Sequence, residues 1–138
     1  MQQHLFLNND TIVAFNAEEI KEYRKIGSED QRLKFLASRW AAKEAAYKAF
    51  GKDRILFPEI VVQKRSVARL SFDLRQPQFH SHTRPRFNRS ASGVPQLRFE
   101  GEAQEKIKEA GVTNSQLSIS HDEDYATAFV IFQRNLEA

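Results

Sequence analysis

Residues 35–51, Phe35-Leu36-Ala37-Ser38-Arg39-Trp40-Ala41-Ala42-Lys43-Glu44-Ala45-Ala46-Tyr47-Lys48-Ala49-Phe50-Gly51, decide how the rest of the chain is read. Ala, Leu, Lys and Glu favour helix, and no Gly or Pro interrupts the run before Gly51. Upstream, Ser28-Glu29-Asp30-Gln31 has the form of a capping box, with Ser28 as N-cap and Gln31 reaching back from N3. Gly51 supplies a residue able to turn left-handed where the helix ends. Leu33, Leu36, Trp40 and Tyr47 fall on one stripe, which is expected to face a core. Arg39, Lys43, Glu44 and Lys48 set three cations around one carboxylate, with Arg39/Lys43 and Glu44/Lys48 as i,i+4 neighbours. Two readings are open. In one, this is a solvated helix face carrying an ordinary and weak ion pair. In the other it is a site for a phosphate ester and a divalent metal, with Glu44 as a hard oxygen ligand and the cations neutralising phosphate.

Composition narrows the classes. The 138 residues suit one domain large enough to bury a core. The sequence contains no cysteine, which excludes disulfides, thiolate nucleophiles, iron–sulfur clusters and Cys-based zinc sites. No apolar run approaches the roughly 20 residues that a membrane helix needs, so no membrane partner is expected. Residues 1–19 show no basic region followed by an apolar core, and they contain Asp10, Glu18 and Glu19 but no Arg. The expected location is intracellular, in the cytoplasm or the mitochondrial matrix. Charge is unevenly spread. Eight cations stand against one acid between Lys64 and Arg98, so this segment carries +7 of a total of +3 and leaves −4 for the remainder.

Along the chain, Leu5-Phe6-Leu7 and Ile12-Val13-Ala14-Phe15 are short apolar runs, read as strands or an extended arm. Asn16-Ala17-Glu18-Glu19 has capping form, and a helix is predicted from Ala17 to Ile26, ended by Gly27. Strands are predicted over Glu59–Lys64, 66–72 and Gln96–Phe99, and a helix over Glu100–Ala110 closed by Gly111. Leu117-Ser118-Ile119-Ser120-His121 alternates, so Leu117 and Ile119 should face one way and Ser118, Ser120 and His121 the other side or the strand end. Asp122-Glu123-Asp124 makes the turn, and Tyr125–Phe132 reads as a strand buried on both faces, pairing as a hairpin with His121 at its tip. The segment from about 65 to 92 differs in kind. Over 75–92 acids vanish and Pro, Ser, Gln and Asn dominate, marking a loop insertion. It is either a solvated loop or an arm on a polyanion, with Arg75, Arg84, Arg86 and Arg89 gripping phosphates. His80 and His82 lack an evident third ligand for a metal. The total is a single α+β domain over 1–138, an antiparallel sheet packed against a long central helix.

Two stretches carry a family resemblance. Trp40-Ala-Ala-Lys43-Glu44-Ala-Ala-Tyr-Lys48-Ala-Phe-Gly51 resembles the W/F-x-x-K-E-A-x-x-K-A-x-G signature of phosphopantetheinyl transferases. Leu117-Ser-Ile-Ser120-His121-Asp-Glu-Asp-Tyr125-Ala-Thr-Ala resembles the C-terminal S-I-S/T-H-x-x-x-Y-A-x-A hairpin of the short holo-acyl-carrier-protein synthase type, and Glu59-Ile60 and Gly93-Val94-Pro95 sit where that type has its E-I strand and G-x-P turn. The resemblance implies a phosphopantetheinyl-transferase-like fold and transfer of phosphopantetheine from coenzyme A to a serine of an acyl carrier protein, with Mg2+. It maps the metal ligand to Glu44, the catalytic lysine to Lys48, and positions near coenzyme A phosphates to Arg39, Lys43 and His121, with Ser120 beside them. It also implies a homotrimer with sites between subunits.

The sequence departs from the pattern in two places. Family members open with a strand carrying G-x-D, whose Asp is a second magnesium ligand; 43 residues precede Glu44 here and none reads G-x-D, while Asp10 follows Asn8-Asn9. That strand is expected to be missing, unless a longer form of the chain carries it. The basic insertion is the other departure. The alternative function is therefore a catalytically impaired member acting as an RNA-contacting component of a ribonucleoprotein such as a mitochondrial ribosome.

Overall fold

The structure, a computed structural model, describes residues 13–51, 53–65 and 93–135. Val13–Phe15 form a turn that buries Ala14 and Phe15. Helix α1 (Ala17–Lys25) then starts with the expected capping box. The Glu19 N–H donates to Asn16 Oδ1 at 2.9 Å, and the Asn16 N–H donates back to Glu19 Oε2 at 3.1 Å. Helix α2 (Glu29–Phe50) has 22 residues, which makes it about 33 Å long. Gly51 ends it at φ +62°, donating its N–H to the Tyr47 carbonyl. Ser28 is the N-cap of α2, but its side chain makes no capping bond. The expected box with Gln31 does not form; Gln31 instead lines a cavity described below.

A short 3-10 turn (Phe57–Glu59) leads into strand β1 (Ile60–Arg65), which pairs antiparallel with β2 (Val94–Phe99), from Ile60 opposite Phe99 to Arg65 opposite Val94. Helix α3 (Gly101–Glu109) follows. Its amino end is capped from outside: the Ala103 N–H donates to Glu59 Oε2 at 2.9 Å. Gly101, at φ +54°, makes room for this, because a Cβ there would lie 2.7 Å from Glu59 Oε1. The hairpin of β3 (Val112–His121) and β4 (Ala126–Arg134) completes the fold, with His121 opposite Ala126 at its tip and a bulge between Val112 and Asn114. Phe99 meets Phe132 at a centroid distance of 5.8 Å and joins the two hairpins. Ala46, Phe50, Ile55, Ile60, Ala103 and Ile107 form a core cluster between α2, α3 and the sheets. The fold is α+β, as expected. The predicted strand 66–72, the insertion and the run Leu5–Leu7 lie outside the described residues.

Two expectations about burial are corrected. The stripe of Leu33, Trp40 and Tyr47 on α2 does not face the core; the three residues are 46%, 45% and 39% exposed. The inward face is instead Ser38, Arg39, Ala42, Lys43, Ala46 and Phe50. The periodic pattern misleads because the two cations on the inward face bring their own counter-ions, which makes a charged face buriable. Likewise β4 is covered on one face only. Burial alternates along it, and Phe129 and Ile131 point away from α2 with 68% and 45% exposure.

Candidate active site

Among the described residues Lys43 is the largest of the fully buried side chains, with no solvent exposure. An ammonium at that depth needs acceptors, and three converge on it: Glu19 Oε2 at 2.7 Å, the Phe57 carbonyl at 2.8 Å and the Ile60 carbonyl at 2.6 Å. Burial pulls its pKa below the ordinary lysine value, and Glu19 partly restores it. Glu19, only 2% exposed, also accepts the Val62 N–H through Oε1 at 3.2 Å. One carboxylate thus ties α1 to α2 and β1. Nothing in the residue pattern of 16–19 distinguishes this role from simple capping; the signal that could have found it is the unmet need of an inward-facing lysine.

Arg39, one turn earlier on α2, is buried as well. Its Nη2 donates to Glu22 Oε2 at 2.7 Å, and its guanidinium carbon lies 3.5 Å from the Phe35 ring centroid. Its Nε lies 3.8 Å from Glu19 Oε1 and is buried with no hydrogen-bond partner among the described residues. Burial lowers the guanidinium's pKa, against the raising effect of Glu22 and Glu19. Arg39 lines a cavity of about 450 Å³. Cationic or titratable residues at its wall are Arg39, Lys34, Lys64 and His121, while Phe35, Val62, Pro95 and Ile119 supply apolar surface. Such a lining suits a ligand with phosphate groups at one end and an aromatic or apolar body at the other.

The sequence-predicted residues divide. Arg39 and His121 come together at this cavity. His121 is the end residue of β3, one of the two places expected for it, and it shares the cavity with Ile119, on the face of Leu117 and Ile119 rather than that of the serines, as two-residue alternation requires. Ser120 does not line the cavity, and its neighbour in the ladder is Thr127. Lys43 is committed to protein acceptors. Glu44 and Lys48 pair with each other at 3.0 Å on the exposed side, about 140° and about 180° respectively around α2 from Arg39 at roughly 100° per residue. The expected ring of three cations around Glu44 therefore reduces to one, because Arg39 and Lys43 turn inward. Arg75, Arg84, Arg86 and Arg89 lie outside the described residues. Lys34 was not singled out by the sequence reading, and it has no motif signal beyond its charge.

Among the described residues, no three His, Asp or Glu side chains come together as a metal site. Glu44 alone does not fit a resident cation. It does fit magnesium arriving on a substrate, since this ion is commonly held by one or two carboxylates with phosphate oxygens and water.

The long motif-bearing helix, the capped hairpin and this cation-lined cavity fit a phosphate-ester transferase, and sequence comparison makes the class definite. Residues 2–130 match the family model of the 4'-phosphopantetheinyl transferase superfamily, to which the chain belongs. Within it the chain is of the short holo-acyl-carrier-protein synthase type. It is similar to the holo-[acyl-carrier-protein] synthase of Wigglesworthia glossinidia brevipalpis, with 31% identity over 129 residues covering 90% of this chain and 73% of that one. The synthase of Idiomarina loihiensis is 33% identical over 113 residues, covering 82% and 72% respectively. Among solved structures, the holo-[acyl-carrier-protein] synthase of Neisseria meningitidis superposes with a TM-score of 0.65 at 25% identity, over 94% of this chain and 83% of that one. The Plasmodium yoelii holo-ACP-synthase shares the fold, with a TM-score of 0.58 at 20% identity over 90% and 76%. None of these relatives points to a ribonucleoprotein.

Proposed function

We propose that the chain, as a single domain, transfers the phosphopantetheine arm of coenzyme A to a serine hydroxyl of an acyl carrier protein. The observation that carries the reading is that Arg39, His121, Lys34 and Lys64 line one cavity, in a chain of this family. Arg39, Lys34 and Lys64 would hold the coenzyme A phosphates, with His121 as a further donor, while the apolar wall would receive the adenine ring. In the reaction the serine oxygen forms a bond to the phosphorus bearing the pantetheine arm. The bond from that phosphorus to the bridging oxygen of the pyrophosphate breaks, and adenosine 3',5'-bisphosphate leaves. Lys48 stands to donate to a phosphate oxygen or, when neutral, to take the serine proton. Glu44 would hold Mg2+ together with the pyrophosphate; when bound, this ion supplies neutralisation of charge on the phosphate oxygens.

Arg39 and the Glu44–Lys48 pair lie on different sides of α2, so one protomer does not aim both at one cavity. The site is completed by a second copy, in a homotrimer, and the exposed Leu33, Trp40 and Tyr47 beside Glu44 suit that contact. The test is mass spectrometry of an apo acyl carrier protein incubated with the chain, coenzyme A and Mg2+. A gain of one phosphopantetheine mass on the carrier serine is expected, and Glu44→Ala should abolish it with the fold intact. A folded wild-type chain that leaves the carrier unmodified would overturn the reading.

A further inference from the structure

We infer that Glu19 is a positioning residue for phosphate binding, acting through Arg39; this rests on the functional reading above. Four features of the structure carry it. First, Glu19 has almost no freedom: its two oxygens accept from the Asn16 N–H, the Val62 N–H and Lys43 Nζ, which come from three different elements or their caps. Second, this fixed carboxylate lies 3.8 Å from Arg39 Nε, close enough to attract the guanidinium and too far to hydrogen-bond it. Third, that Nε is buried on the Glu19 side with no hydrogen-bond partner among the described residues, so the guanidinium is held there by the carboxylate's charge and not by a hydrogen bond. Fourth, Arg39 lines the cavity where Lys34, Lys64 and His121 converge.

Taken together, these contacts hold the guanidinium without using up its donors. Phe35 fixes its plane, Glu22 takes Nη2, and Glu19 supplies a buried negative field that keeps the cation oriented before any ligand arrives. Donors set in advance toward a charge do not have to be reorganised when it binds. Glu19 touches no ligand in this scheme. It lies behind the arginine, and Lys43 is the counter-ion that lets a second charge sit there.

The experiment measures steady-state transfer to an apo carrier protein, with coenzyme A as the varied substrate. Glu19→Gln should raise the KM for coenzyme A about tenfold with kcat changed less than about twofold, which corresponds to roughly 1.4 kcal/mol of lost ground-state binding. The neutral double variant Glu19→Gln/Lys43→Met should show the same split, and it provides the test where the single variant does not fold. Arg39→Ala should raise KM similarly, and adding Glu19→Gln to it should raise KM no further, because Glu19 acts through the arginine. Glu59→Ala, which removes the α3 cap away from the cavity, should lower thermal stability and leave KM unchanged. An unchanged KM in folded Glu19→Gln overturns the inference. So does an undiminished Glu19→Gln effect in the Arg39→Ala background, or a KM shift of equal size in Glu59→Ala. A folded wild-type chain that neither binds coenzyme A nor modifies the carrier overturns the functional reading itself, and this inference with it.

Discussion

Lys43→Met is the sharpest test of how the chain holds together. Methionine nearly reproduces the length and volume of lysine but donates no hydrogen bond. In the native fold Lys43 Nζ serves Glu19 Oε2, the Phe57 carbonyl and the Ile60 carbonyl, all within 2.6–2.8 Å and without contact with water. Removing it leaves the Glu19 carboxylate buried with only two backbone donors and the more distant Arg39. Breaking a buried pair from one side costs about 3–5 kcal/mol, since the remaining charge stays uncompensated. Stability of a domain is on the order of 5–15 kcal/mol, so the variant should retain its fold with a melting temperature lowered by roughly 10–20 °C. Adding Glu19→Gln removes the orphaned charge. The double variant should therefore recover at least about 2 kcal/mol relative to the sum of the two single losses. Denaturant titration of the four proteins measures this. A Lys43→Met loss below about 1 kcal/mol, or strict additivity in the double variant, would refute the assignment of Lys43 and Glu19 as a coupled buried pair.

The pH dependence of stability follows from the same residue. Burial places the folded pKa of Lys43 below the ordinary lysine value of 10.5, so between the two values the unfolded chain holds more protons and stability from this group rises with pH. Lys34 and Lys106 have raised values, from their hydrogen bonds to Asp30 and Glu102, and lose their contribution as pH climbs above 10.5. Wild type minus Lys43→Met, followed from pH 8 to 10.5 (roughly the span of amine titration), should show the rising component, and an identical slope in both proteins would contradict it. Gly101→Ala should cost about 1–3 kcal/mol, because the residue sits at φ +54° and its Cβ would meet Glu59 Oε1 at 2.7 Å; a neutral melt would mean that the Glu59 cap yields freely. Trp40→Glu, on the exposed stripe of α2, should shift the proposed trimer toward monomer in sedimentation and lower transfer activity in parallel, and an unaltered sedimentation profile would remove this face from the proposed contact.

Elements of the fold were legible wherever local chemistry alone decided them. The Asn16 box, the stop at Gly51 and the hairpin turn after His121 each depend on residues within a few positions of one another. The Ser28 box had the same local form and failed, because nothing local fixed where Gln31 would turn. The inward face of α2 was not legible, since its apolar periodicity pointed to Leu33, Trp40 and Tyr47. Choosing Arg39 and Lys43 as the buried face requires knowing that Glu19 and Glu22, some 17 to 24 positions earlier, arrive opposite them. Pairings of that separation leave no periodic trace.

The same misreading bears on function. A cation on the motif helix has two possible employments, a ligand or the fold, and spacing does not separate them. Lys43 and Arg39 are i,i+4 neighbours in one buried network, but the first has every donor filled by protein acceptors and the second lines a cavity. What distinguishes them is depth along the helix relative to one carboxylate: Glu19 reaches Lys43 at 2.7 Å and stops 3.8 Å short of Arg39. That difference of about an ångström marks where structural charge gives way to charge available for a phosphate, and it makes Glu19 the residue whose loss should be felt on both sides.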